Sequence, residues 1–165
     1  MYKIYSFTKI LTFVFITLLI FSCQDNKRDN LFEGDNKIDF ISLNGIPVVK
    51  GKINSIDTYF IIDSGASLSV LDESQKDKFK FIVEESDIEA AGYGGTANFK
   101  NAIGVNIEIG GVKFSTEFKS QDLSKIGEII FKSQGVKIGG IVGSDIMHKN
   151  KFIIDYSLNS ISLSK

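Results

Sequence analysis

The sequence predicts an all-β domain, a barrel or a sandwich, carrying one or two short helices. Three observations point there. Short apolar runs are cut at close intervals by turn pairs such as Asn44-Gly45, Asn54-Ser55 and Gly110-Gly111. The chain holds 15 glycines, 14 phenylalanines and a single proline, a balance that suits strands joined by tight turns. Hydrophobic residues make up 43% of its 165 residues, enough for one packed domain and too many for a disordered chain.

The elements follow in order. Lys37–Leu43 alternates apolar and polar residues and reads as a first strand. Asn44-Gly45 turns it into Val48–Ile53, and Asn54-Ser55 turns that into Asp57–Ile62. Ser69-Val70-Leu71 is a brief strand, after which Asp72 is placed to cap a short helix reaching about Phe79. Phe81–Val83 and Ile88–Ala91 read as two short strands around a solvated acidic turn, Glu84-Glu85-Ser86-Asp87. A glycine-rich tip at Gly92-Tyr93-Gly94-Gly95-Thr96 leads to a long strand, Phe99–Ile109. Gly110-Gly111 then turns the chain into Val112–Phe118. Asp122–Phe131 reads as a helix, Ile138–Val142 as a strand, and the residues after Gly143 as a short helix capped by Ser144. Phe152–Asp155 and Ser160–Leu163 close the chain as a hairpin.

Residues 1–22 read as a leader rather than as part of the domain. Lys3 and Lys9 precede an apolar run, Ile10–Phe21, that is shorter than the roughly 20 residues needed to cross a bilayer. The run closes on Ile20-Phe21-Ser22-Cys23, which resembles a bacterial lipobox, with Phe21 bulkier than the usual occupant. That resemblance implies a lipoprotein signal peptide, lipidation of Cys23, and a protein anchored in the cell envelope facing periplasm or exterior. Residues 23–36 are polar and charged and read as a tether, so the domain spans 37–165. Cys23 is the single cysteine, which excludes a disulfide within the chain and a cysteine-built zinc site. A net charge of −1 without a basic cluster argues against nucleic acid as a partner.

Chemistry concentrates where the strand Tyr59–Ile62 runs into Asp63-Ser64-Gly65-Ala66. A carboxylate at the end of a strand expected to be buried is costly unless it is hydrogen-bonded or shares a proton. Gly139-Gly140 and Gly143 suggest a dinucleotide loop only superficially, because no βαβ unit surrounds them. His148, the only histidine, shares a short helix with Ser144 and reads as a solvated residue rather than as half of a catalytic pair.

Three segments, in this order, resemble the retropepsin-like aspartic proteases. Asp63-Ser64-Gly65-Ala66 matches the family's active-site strand and loop. Gly92-Tyr93-Gly94-Gly95-Thr96 is similar to the flap that folds over bound peptide. Ile141-Val142-Gly143 resembles the second apolar-apolar-glycine element, which supports the catalytic loop. The resemblance implies a single-lobed closed β-barrel. Asp63 would be the catalytic group, with Ser64, Gly65, Ala66, Val142 and Gly143 as its support and Gly92 to Thr96 as flap. It implies hydrolysis of extended peptides by an activated water, with no metal and no cofactor. Ala66, where pepsin-type enzymes carry serine, implies a less acidic optimum than theirs. Only one Asp-Ser/Thr-Gly exists in the chain, so an active enzyme would take its second aspartate from a second copy. Lys37–Leu43 and Ile161–Lys165 are then the candidate interface strands. A peptide-binding or structural envelope lipoprotein with the same fold is the alternative expectation.

Overall fold

The computed structural model describes residues 37–92, 95–114 and 116–163, and strands dominate them. In chain order the strands are β1 (Lys37–Asp39), β2 (Ile41–Leu43), β3 (Ile46–Ile53), β4 (Ile56–Ile62), β5 (Val70–Asp72), β6 (Ile82–Gly92) and β7 (Gly95–Ile103). They continue as β8 (Ile107–Ile109), β9 (Val112–Phe114), β10 (Phe118–Gln121), β11 (Ile138–Val142), β12 (Ile153–Asp155) and β13 (Ser160–Ser162). The helices are short: α1 (Lys76–Phe79), entered through a 3₁₀ turn at Glu73–Gln75, then α2 (Ser124–Gln134) and α3 (Ser144–Lys149). The all-β class expected from the turn spacing is the class observed.

One large sheet runs in the order β6-β7-β10-β5-β11-β4-β3-β8-β9, with β2 added beside β3. Four of its pairs are antiparallel hairpins between consecutive strands, and three more are antiparallel between strands distant in the chain. Two pairs are parallel, β11 with β4 and β10 with β5. These bring residues distant in sequence together at the centre of the sheet, where the candidate site lies. The main core lies on one face, with Phe60, Phe79 and Phe118 almost wholly buried. Each such side chain contributes about 1.5–3 kcal/mol relative to exposure. A smaller cluster of Leu43, Val48, Ile61 and Ile138 is covered by Ile130 of α2 and by Val136.

The chain departs from the sequence reading at six places. The expected strand Val112–Phe118 is two, since β9 ends at Phe114 in its hairpin with β8 while β10 starts at Phe118 and pairs with β7 and β5. Lys37–Leu43 is two strands in two sheets, separated at Phe40, whose N–H donates to Asn159 O at 2.9 Å while its ring is buried. Phe99–Ile109 breaks at Gly104, whose φ of +75° ends β7 and redirects the chain so that β8 pairs with β3. The two short strands expected around Glu84–Asp87 are one strand, and the acidic run is an irregularity where the pairing with β7 shifts register between Glu84 and Ile88. The expected helix at Asp122 begins at Ser124, with the Asp122 carboxylate accepting from Ser124 N at 2.9 Å. Gly143, not Ser144, is the residue that caps α3.

The chain termini form a separate sheet in the order β1-β13-β12. Lys37 pairs with Ser162, and Ile153 pairs with the same Ser162 from the other side. β13 is therefore paired on both sides by its own chain, so of the expected interface segment Ile161–Lys165 the residues Ile161 and Ser162 have no free strand edge, while Ser164 and Lys165 lie outside the described residues. The outer edges of this sheet belong to β1 and β12.

Candidate active site

β4 is buried along its last three residues, Phe60, Ile61 and Ile62, and then delivers Asp63 into a loop. Asp63 itself is exposed in the single chain, contrary to the expectation of a buried carboxylate. The strand ends at Ile62, and Asp63 lies just beyond it. The backbone of Asp63 is nevertheless fixed. Its N–H donates to Val142 O at 3.0 Å, continuing the parallel β4–β11 pairing by one more bond. Ala66 N donates back to Asp63 O at 3.1 Å, closing a tight turn. Gly65 N donates to Asp63 Oδ1 at 2.9 Å, so one carboxylate oxygen is held by a backbone amide.

The segment after β11 holds the loop from beneath. Ser144 N donates to Ala66 O at 2.8 Å. A Cβ on Gly143 would lie 2.7 Å from Leu68 O and 2.8 Å from Ala66 O, so this backbone approach requires glycine. Gly143 N donates to Ser69 Oγ at 2.9 Å. Val142 is buried in the main core directly behind the loop. Asp63, Gly65, Ala66, Val142 and Gly143 are thus brought together. Ser64 stands exposed at the loop tip, and its hydroxyl has no partner among the described residues.

One residue of this assembly has no signal in the local sequence. Asp145, in the first turn of α3, accepts from Ser69 Oγ at 2.6 Å and from Ser69 N at 3.0 Å. Ser69 in turn receives the Gly143 amide, so Asp145, Ser69 and Gly143 form one chain of bonds across the end of the Asp63 loop.

The glycine-rich tip is the end of the β6–β7 hairpin. Gly92 pairs with Gly95 and Ala91 with Thr96, and Tyr93 and Gly94 lie outside the described residues. Cys23 and the leader also lie outside them. Among the described residues, no helix is long and apolar enough to cross a membrane.

Residues 49–146 match the family model described as aspartyl protease, and the chain belongs to that family. The match takes in the Asp63 loop, the β6–β7 hairpin and Gly143. No curated protein sequence matches the chain. Among solved structures the chain is similar to the EIAV protease complexed with the inhibitor HBY-793, at 21% identity and a TM-score of 0.49, over 66% of this chain and 91% of that one. It is similar to the retroviral protease-like domain of Ddi1 from Leishmania major, at 14% identity and a TM-score of 0.46, over 70% and 86%. It is also similar to a retropepsin-like aspartic protease from Rickettsia conorii, at 17% identity and a TM-score of 0.46, over 77% and 86%.

Proposed function

We propose that this protein is a membrane-tethered aspartic endopeptidase of the bacterial cell envelope, active as a homodimer. The observation that carries the reading is Asp63. It is an exposed carboxylate on a rigidly held loop, with a single internal hydrogen-bond donor, in a chain of the aspartyl protease family. A carboxylate so placed keeps most of its acceptor sites for a water or for a second carboxyl group.

The chain has one such aspartate, so two copies are required, related by a two-fold axis through the site. Two Asp63 carboxyl groups a few ångström apart cannot both ionise, and they hold one proton between them. The ionised one accepts a proton from a water, whose oxygen attacks the scissile carbonyl carbon. The protonated one donates its proton to the developing oxyanion. The tetrahedral intermediate then collapses, breaking the C–N bond as the nitrogen takes a proton from one carboxyl group of the dyad, while the other takes a proton back from a hydroxyl of the intermediate and the dyad again holds one proton. The exposed Ser64 hydroxyl is free to bond across the axis and lock the two loops. The outer edges of β1 and β12 are the strand edges through which the copies can join. The Gly92–Thr96 tip closes over the peptide. Lipid on Cys23 and the polar tether at 23–36 would hold both copies at one membrane and raise their effective concentration.

The test pairs cleavage with assembly. Purified protein and its Asp63→Asn variant are incubated with a peptide mixture across a pH series, and sedimentation is measured at several concentrations. Cleavage lost in the variant and confined to concentrations that hold dimer supports the proposal. Cleavage by a strict monomer would overturn the two-copy site. Peptide binding with no cleavage at any pH would favour a peptide-binding lipoprotein with this fold. Retention of Cys23→Ser protein in the membrane fraction would overturn the anchor.

A further inference from the structure

Lys119 is a buried lysine that the chemistry above does not use. It is 7% exposed, in the middle of β10, although lysine is among the residues least often buried without a partner. Its ammonium donates to Asn101 Oδ1 at 2.6 Å. The nearest carboxylate among the described residues, Glu117, is 4.0 Å away and almost fully exposed, too far for a hydrogen bond and well screened by water. An ammonium carries three donors, and the structure satisfies one of them with a side chain.

The register places this group on the face that leads to Asp63. Its neighbour Phe118 points into the main core, so Lys119 points to the opposite side of the sheet. Across that side the pairing aligns Asn101, Lys119, Val70, Ile141 and Ile61 in one row. Ile61 lies two residues before Asp63, on the same face of its strand. Lys119 is also tied to the catalytic loop directly, its backbone N–H donating to Ser69 O at 3.2 Å. Three strand spacings separate β10 from β4, about 14 Å at 4.7–4.9 Å each. That distance fits a substrate residue about four positions from the scissile bond, at about 3.3 Å per extended residue.

We propose that Lys119, oriented by Asn101, is a specificity-determining residue that selects peptides with an aspartate or glutamate a few positions from the cleaved bond. The incoming carboxylate accepts the donors that the protein leaves unused, in a place largely screened from water, where a charge-assisted bond is strong. The inference rests on the peptide-binding reading of the site and deepens it.

The test compares wild type, Lys119→Met and Lys119→Arg on matched peptides that carry Glu or Gln at successive positions. Thermal melts confirm that each variant folds. The readout is the Glu-to-Gln ratio of kcat/KM, and in parallel the same ratio of binding constants measured in an Asp63→Asn background. The expected result is a wild-type preference for Glu at one position, lowered at least about tenfold by Lys119→Met and kept by Lys119→Arg. No acidic preference in wild type, or a preference unchanged in Lys119→Met, overturns the inference. If nothing is cleaved but the Lys119-dependent preference persists in binding, the proteolytic reading fails and this one stands. If no peptide binds or is cleaved, both fail.

Discussion

Asp63 and Asp72 stand at the ends of two central strands, β4 and β5, and they are used in opposite ways. Asp72 is 3% exposed, and both of its oxygens are engaged. Its Oδ1 accepts from Ser74 N at 3.1 Å, Ser74 Oγ at 2.8 Å and Leu123 N at 3.2 Å, while its Oδ2 accepts from Gln75 Nε2 at 2.7 Å. One carboxylate thereby starts the 3₁₀ turn, anchors the approach to α2 and holds one of the two bonds of the Gln75 amide, whose other bond goes to Ile138 O of β11. Asp63 is exposed and receives one internal amide. Acceptor capacity consumed inside the fold stabilises it; capacity left open at a rigid loop is available to a substrate, a water or a second copy. Identical side chains in similar strand-end positions are separated in role by what surrounds them.

Two substitutions should pull the comparison apart. Asp63→Asn is expected to lower peptide hydrolysis by roughly a thousandfold or more, since the amide cannot act as the general base. Its unfolding free energy should stay within about 0.5 kcal/mol of wild type, as for an exposed position. Denaturant titration beside a peptide-cleavage assay reads both. Asp72→Ala should do the reverse. It leaves Leu123 N, Ser74 N and the Gln75 amide without their acceptor, and a loss of about 2–4 kcal/mol is expected. A stable Asp72→Ala protein, or an unstable Asp63→Asn one, would erase the distinction.

Asp145 lies between these extremes. It is exposed like Asp63 yet bonded to Ser69 through both oxygens. Asp145→Asn keeps one acceptor for the Ser69 hydroxyl and presents a donor to the Ser69 amide, so one bond is lost and the loop loosens. A stability loss of about 1 kcal/mol is expected. A fall in kcat of about tenfold with KM little changed is the mark of a positioning residue. An equal change in both constants would assign Asp145 to the fold alone.

What could be read beforehand follows from how local each cause is. Asn44-Gly45, Asn54-Ser55 and Gly110-Gly111 turn the chain through their own backbone preferences, and all six residues take positive φ. The Asp63–Ala66 loop is similarly compact and was visible as a string. Asp145 and Ser69 are 76 positions apart and meet because β11 pairs antiparallel with β5, aligning Ile141 with Val70. Phe40 splits the first strand because Asn159, at the other end of the chain, takes its amide. The burial of Lys119 depends on the register of β10 against β7 and β5, which no short window encodes. The exposure of Asp63 is hidden from the sequence for the same reason. An apolar strand announces a buried backbone, but whether its last residue is covered depends on what packs beyond it.

The smallest expected effect comes from a third aspartate that repeats the Asp72 capping geometry at the rim of the molecule. Asp155 ends β12, and its Oδ1 accepts from Ser157 Oγ at 2.5 Å, Ser157 N at 2.8 Å and Leu158 N at 3.1 Å, forming the turn into β13. The Ser157 hydroxyl first, and the Leu158 amide next, hold its pKa below the ordinary value of 3.8. A carboxyl group whose pKa is lowered by folding stabilises the folded state above its unfolded value, and that contribution is lost as the pH falls through the lowered one. The stability difference between wild type and Asp155→Asn should therefore be constant at neutral pH and shrink below about pH 4. Melting curves of the two proteins across an acid series would measure it. A difference that persisted undiminished at low pH would mean that turn shape, rather than the ionised oxygen, holds β12 to β13, and the likeness to Asp72 would then be one of geometry only.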